Sequence, residues 1–273
     1  KKVIRELYSN GYAVVNNVLK EKNCDNIIKN LESLEIRTSK NKNHIDESSK
    51  FGQVVIRDLV LRSPKNFLKL IDNNLIIKVL NKVFKVPAIL DNCMASKTIN
   101  VNKKYFGLVH IDSHLASNSN ENTSDIVACY CLDDFTKENG ATKIWPKSHL
   151  SGIRIQNDKN YSKLIKKRHK YVEAKKGSVI FFLGQTWHQI GKNTNSKRRW
   201  GILCHYKRWW IKPSTDWTKC GPYIYKLLNF KQKELFGFSS ISPHFNLKKQ
   251  FKTLKTLRKA SSLSKEYSKV IQY

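Results

Sequence analysis

The apolar positions change period twice along the chain, and each change predicts a change of architecture. VIRELYSNGYAVVNNVLKEKNCDNIIKNLESL (3–34) reads as a short helix closed by Gly11, a strand over Tyr12 to Val15, and a helix from about Lys22 to Leu34 with Ile27, Ile28 and Leu31 on one side. RTSKNKNHIDESSK (37–50) has no apolar period and is expected to be a loop. SPKNFLKLIDNNLIIKVLNKVF (63–84) opens with a capping Ser63 and Pro64 in the first turn, then continues as one or two amphipathic helices.

From Ala88 to Trp210 the period drops from 3.6 to 2. ILDNCMASKTINV, YFGLVHID, DIVACYCLDDF, TKIWPKSH, GSVIFFLG and RRWGILCHYKRWW read as strands, separated by polar connectors such as ASNSNENTS and GKNTNSK. No helix between them is long enough for a crossover, so the sheet is expected to be antiparallel: a jelly roll, mainly β, with helices packed on one side. Beyond Pro213 the pattern turns helical again. NLKKQFKTLKTLRKASSLSKEYSKV spaces Leu247, Phe251, Leu254 and Leu257 for one helix face among many lysines. One domain over 1–273 is expected, helical to about 86, jelly roll over about 87–212, and a basic helical extension over about 213–273.

The net charge of +30 adds a bias towards anions but no nucleic-acid signature. Of 51 basic residues 41 are Lys, spread over every segment, whereas Arg is the residue that forks onto phosphate and guanine. Nucleic acid is therefore not the expected partner; a small, anionic substrate is. The six cysteines form no CxxC pair and no zinc spacing, which points to free thiols and a cytoplasmic, reducing compartment. No apolar run reaches the length of a membrane span, and no signal-peptide core is visible.

GLVHIDSHLA (107–116) carries the chemistry. Alternate residues of a strand share a face, so His110 and Asp112 point the same way, about 6.5–7 Å apart at the backbone, within reach of one ion. Two His and one carboxylate on one face of a metal leave open positions, the non-haem Fe(II) oxygenase arrangement. The second His must come from elsewhere. His188, at the end of GSVIFFLGQTWH, is the best candidate; His114 takes its place only if His188 is remote, and is otherwise near the ligands, substrate-facing or exposed.

The text around these residues is more specific. DDFTKENGATKIWPKSH (133–149), KKGSVIFFLGQTWHQIGKNTNSKRR (175–199) and NGYAVVNNVLKEKNCDNIIKNL (10–31) together resemble the phytanoyl-CoA dioxygenase family, in the same order, over most of residues 3–210. The resemblance implies a double-stranded β-helix, the cupin-like form of the jelly roll, and an oxygenase using Fe(II), 2-oxoglutarate and O2. It assigns His110, Asp112 and His188 as metal ligands. Arg199, 11 residues past His188, matches the residue that grips the far carboxylate of 2-oxoglutarate; Arg198 is its rival, and strand parity favours Arg199. The family often places a small hydroxyl residue where Ile190 stands and an aromatic where Cys129 stands, so Asn100 and Thr142 become candidates for further cosubstrate contacts. Asp133, Asn139 and Gly140 look like turn and strand-pairing residues, and His149 looks structural. Trp145, Phe182 and Trp187 are candidates to line the pocket.

The implied reaction is hydroxylation of a small metabolite with release of succinate and CO2, Asp112 occupying the position that related halogenases leave small for chloride. Two other classes are weighed against it: a non-catalytic basic β-sandwich that binds a ligand or nucleic acid, and a partner-binding protein that uses its basic C-terminal helix.

Overall fold

The computed structural model describes residues 1–39, 52–100, 107–195 and 197–239. In chain order the elements are α1 (Lys2–Asn10), β1 (Tyr12–Val15), α2 (Glu21–Ser39), β2 (Gln53–Ile56), α3 (Leu59–Arg62), α4 (Pro64–Ile71), α5 (Asn74–Phe84), β3 (Ala88–Thr98), β4 (Asp125–Cys131), β5 (Lys143–Ile144), α6 (Tyr161–Leu164), β6 (Lys170–Tyr171), β7 (Val179–Leu183), β8 (His188–Gln189), β9 (Arg199–Arg208), α7 (Gly221–Leu227) and α8 (Phe230–Leu235).

The strands form two sheets, six in the order β1-β7-β4-β9-β3-β2 and three in the order β6-β5-β8. The pairs β1–β7, β4–β7, β2–β3, β5–β6 and β5–β8 are all antiparallel. A jelly-roll interior lies between the sheets: Val127, Cys129 and Cys131 of β4 and Ile180 and Phe182 of β7 pack with Ile144 of β5, Val172 and Tyr171. The other face of β4, Ile126, Ala128 and Tyr130, is buried as well, so both faces are covered. This is the double-stranded β-helix with flanking helices that the sequence implied.

By packing, the described chain divides into two compact units, neither of them one continuous stretch. The first comprises Lys1–Arg57 and Met94–Cys204 and holds the jelly-roll interior. Within it α1 lies against β1 and β7, and Gly11 ends α1 by taking φ 87°, its N–H donating to the Leu7 carbonyl. The second comprises Asp58–Cys93 with the described residues from His205 on. Its core includes Phe67, Ile71, Leu80, Trp217 and Phe236. Side chains of this unit bond to its own backbone: Trp217 Nε1 to Leu90 O at 2.8 Å, Tyr206 Oη to Ile71 O at 2.8 Å and Gln232 Nε2 to Leu68 O at 3.1 Å.

Several local expectations change. The second helix runs on to Ser39 rather than ending near Leu34; residues 40–51, most of the expected loop, lie outside the described residues. The segment 63–84 is two helices, broken where Asn73 Oδ1 accepts the Leu75 N–H and caps α5. Ser63 precedes α4 but its hydroxyl makes no cap bond and instead accepts from Asn66 Nδ2. YFGLVHID forms no strand among its described residues, only a bridge at His110. Most of the basic C-terminal stretch, residues 240–273, lies outside the described residues.

Candidate active site

His110 and His188 stand opposite one another across an isolated antiparallel bridge, each N–H donating to the other's carbonyl at 3.0 Å. Two residues on, the N–H groups of Asp112 and Ser113 both donate to the Gly184 carbonyl, at 2.8 and 3.0 Å. Residues paired across an antiparallel bridge project to the same face, so the His110 and His188 side chains lie side by side, and Asp112, two residues on, shares that face. The imidazole centroids of His110 and His188 are 4.2 Å apart. His110 Nε2 lies 3.6 Å from one Asp112 carboxylate oxygen, and His188 Nε2 lies 3.6 Å from the other. Those separations are longer than a charge-assisted hydrogen bond.

The tautomers follow from the other ring nitrogen. His110 Nδ1 is 3.0 Å from the Leu108 carbonyl and His188 Nδ1 is 3.0 Å from the Thr186 carbonyl. A carbonyl only accepts, so each Nδ1 carries a proton, and in the neutral ring Nε2 turns a lone pair towards Asp112. Two imidazole lone pairs and a carboxylate thus converge, with all three ligand atoms within 4.8 Å of one another. Donors of this kind repel one another until a cation lies between them, and backbone carbonyls on the far ring nitrogens are the usual support of metal-bound imidazoles. The residues fit a divalent metal. Side-chain exposure rises from 9% at His188 through 20% at Asp112 to 41% at His110, so the open side of the group is on the His110 side.

Arg199, the first residue of β9, is 3% exposed, and its Cζ sits 3.9 Å from the centre of the Phe135 ring. Phe135 belongs to the interior cluster with Phe182, and the Phe182 ring is 4.8 Å from that of His188. The guanidinium and the His188 imidazole therefore touch the same apolar cluster. Arg198 points away and pairs with Glu32. Burial pushes the Cys129 thiol up to about 12, against the opposing pull of Arg199. Burial likewise raises the Asp133 carboxyl, although the Trp200 N–H donates to it at 2.8 Å and Lys176, Arg198 and Arg199 lie near.

Of the remaining candidates, Asn100 is exposed just past β3, and Thr142 is half-buried with its carbonyl accepting from the Val172 N–H. His114 is exposed and outside the converging group. His149 is fully buried, with Nε2 donating to the Tyr8 carbonyl at 3.0 Å. Asn139 braces its turn, accepting from the Thr136 N–H and donating to Asp134 O. Gly140 has φ 89°, and a Cβ there would come 2.7 Å from the Gly191 carbonyl. Among the three aromatics only Phe182 contacts a ligand ring; Trp145 and Trp187 pack in a separate cluster with Val109, Ile111 and Ile155.

Two contributors are not announced by any motif of the HxD type. Phe135 was visible only as the end of the apolar run DIVACYCLDDF. Gly184 supplies the carbonyl that turns Asp112, and a Cβ there would come 2.5 Å from Asp125 Cβ and 2.8 Å from Ser113 Oγ. A glycine closing a buried strand was the available signal of such close approach.

A family model described as Phytanoyl-CoA dioxygenase (PhyH) matches residues 7–201. Among curated proteins, an uncharacterized protein of Mycobacterium tuberculosis (strain H37Rv) is 31% identical over 33% of this chain and 31% of its own length. A dioxygenase of Aspergillus fumigatus is 30% identical over 41% of this chain and 36% of its own. The chain thus matches about a third of the length of these relatives. Among solved structures, HygX from Streptomyces hygroscopicus with nickel, 2-oxoglutarate and hygromycin B bound superposes with a TM-score of 0.62 at 14% identity, covering 78% of this chain and 88% of HygX. The 2-oxoglutarate-dependent carbocyclase SnoK from nogalamycin biosynthesis gives 0.60 at 18% identity, over 76% and 83% of the two chains. The epimerase SnoN from the same biosynthesis gives 0.54 at 17%, over 76% and 80%.

Proposed function

Because the chain belongs to the phytanoyl-CoA dioxygenase family, we propose that it is an Fe(II)- and 2-oxoglutarate-dependent oxygenase that hydroxylates a small, anionic metabolite. His110, Asp112 and His188 hold the iron, and Arg199 holds the far carboxylate of 2-oxoglutarate. The overall reaction takes substrate C–H, 2-oxoglutarate and O2 to substrate C–OH, succinate and CO2. The iron supplies, when bound, the redox chemistry that couples decarboxylation of the cosubstrate to oxidation of the substrate.

The chain's own residues provide position and dryness. The Leu108 and Thr186 carbonyls accept from Nδ1 of the two imidazoles and so fix the ring orientations, leaving each Nε2 on the Asp112 side for the metal. Asp112 brings one negative charge, which partly neutralises the metal and occupies a coordination position. Arg199, planar and permanently charged, matches a carboxylate with two parallel bonds in a buried setting where Lys would not. Phe135 and Phe182 exclude water around it. The basic surface, +30 over the whole sequence, favours an anionic substrate. Six cysteines without a disulfide fit a reducing, cytoplasmic setting, and residues 1–273 are taken as one oxygenase domain. Among the described residues no helix is long and apolar enough to cross a membrane.

The observation that carries the reading is the convergence of two Nε2 lone pairs and a carboxylate within 4.8 Å. Anaerobic addition of Fe(II) and 2-oxoglutarate is expected to give the weak visible charge-transfer band of the chelate, and His110→Ala is expected to abolish it. A parent protein without the band supports the non-catalytic binding reading instead. Epimerase and carbocyclase activities occur on this fold, so hydroxylation is tested separately: under 18O2 the product must carry one heavy oxygen.

A further inference from the structure

The HxD segment has two edges, and only one faces His188. In antiparallel pairing the backbone groups of alternate residues point to opposite sides. His110 spends its N–H and carbonyl on His188, so Val109 and Ile111 direct theirs outwards, where a further strand would ordinarily lie. Side chains occupy that place. The Val109 N–H donates to Tyr161 Oη at 2.8 Å. The Ile111 N–H donates to Gln156 Oε1 at 3.2 Å, and Gln156 Nε2 donates back to the Ile111 carbonyl at 3.1 Å. The carboxamide of Gln156 thus stands in for the peptide group of a missing strand.

The segment that carries Gln156 and Tyr161 also holds the other half of the site. Trp187, immediately before His188, donates its indole N–H to the Ile153 carbonyl at 3.1 Å. Trp145, next to the residue that pairs with His188, donates to the Ile165 carbonyl at 3.3 Å. Ile155 is fully buried against Val109, Ile111, Trp145 and Trp187. One stretch of chain, 153–165, therefore fastens Ile111, between the first two ligands, and Trp187, beside the third.

We propose that Gln156 is a positioning residue for the metal. Ile111 is the hinge on which His110 and Asp112 would swing, and the two-point grip of Gln156 fixes that peptide and so the spacing of both ligands from His188. The inference rests on the reading that these three residues bind a metal. No other group of the described chain makes both bonds to Ile111.

Co(II) titration of the full chain, followed by its visible d–d bands well below the melting temperature, tests the idea. Gln156→Leu keeps the bulk and loses both bonds: Co(II) affinity is expected to fall about tenfold, with shifted bands, while the metal-free melting temperature falls by the several degrees that leaving the Ile111 peptide groups unpaired costs and the protein stays folded at the assay temperature. Gln156→Glu keeps the acceptor and loses the donor, and is expected to fall between Leu and the parent. Should the Leu variant not fold, Gln156→Asn, one methylene too short for both contacts, replaces it. A Leu or Asn variant with the parent's affinity and spectrum overturns the inference and leaves the metal site standing. A parent that takes up no Co(II) overturns both.

Discussion

Arg198 and Arg199 are adjacent in sequence and face opposite ways, Arg198 paired with Glu32 at the surface and Arg199 stacked on Phe135 in the jelly-roll interior. The two positions therefore separate charge from place. Arg199→Lys keeps the charge but loses the fork and the flat contact with Phe135, and 2-oxoglutarate binding is expected to weaken at least about tenfold, in line with the ~1.5–3 kcal/mol of a hydrogen bond to a charged group. Arg198→Ala removes an exposed partner of Glu32 and is expected to leave 2-oxoglutarate affinity within about twofold, since surface pairs contribute ~1 kcal/mol or less and this one is outside the site. Titration of the charge-transfer band with 2-oxoglutarate in each variant gives the comparison; equal losses in both would remove Arg199 from the site.

Asp112 is the one anionic member of its group, with an imidazole nitrogen 3.6 Å from each of its oxygens. Asp112→Asn preserves shape and removes the charge that balances the cation. Fe(II) or Co(II) affinity is expected to drop by about a hundredfold or more, with the fold retained, because hard and borderline divalent ions draw much of their binding from carboxylate. Equilibrium dialysis with the metal checks this, and unchanged uptake would assign the ion to other residues.

The convergence of His110, Asp112 and His188 was legible because side-chain parity is local: HxD needs only two residues to commit its side chains to one face, and the burial of Arg199 with Arg198 at the surface followed from the same period. The distal His188 was legible from its place at the end of a buried apolar run. The support of the site was not. Gln156, Tyr161 and Ile153 act through bonds to residues 34 to 52 positions away, and IRIQNDKN has no period that marks a strand substitute. The same reasoning explains β6 and β5, two residues each, which are too short for alternation to register. The placement of Trp145 and Trp187 stayed open for a related reason: hydrophobicity shows that an aromatic is buried, but not in which of two clusters.

Buried cysteines line the interior next to Arg199, and burial holds the Cys129 thiol at about 12 and the Cys131 thiol well above its ordinary value. Since the thiolate is the reactive form, both stay protonated through pH 9 in the folded protein. Iodoacetamide at pH 8.5 is expected to leave Cys129 and Cys131 unmodified in the native state and to label both after unfolding, read by peptide mass spectrometry. Labelling of Cys129 without unfolding would show that the interior opens far more readily than its packing implies.

In the second unit, Asp91 and Lys207 form an ion pair at 2.9 Å with side chains only 8% and 6% exposed. Burial pushes the Asp91 carboxyl up, but Lys207 and the Ser214 N–H, at 2.7 Å, together outweigh it and leave the group below its ordinary value. A carboxyl depressed by folding adds stability that is complete above its unfolded value, about 3.9, and is lost as pH falls through the lower folded value. Acid should therefore weaken this pair only below about pH 4. Lys207→Met leaves the carboxylate buried without its counter-charge and is expected to cost about 3–5 kcal/mol at pH 7. That carboxyl then titrates above its ordinary value, so the penalty is expected to shrink between pH 7 and pH 4 as protonation removes the charge. The double variant Asp91→Asn with Lys207→Met keeps an acceptor for Ser214 and buries no charge, and it is expected to recover most of the loss. Urea unfolding of the three proteins at both pH values decides the matter: a Lys207→Met penalty that is small at pH 7, or that grows towards pH 4, would mean that Asp91 is not held ionised by Lys207.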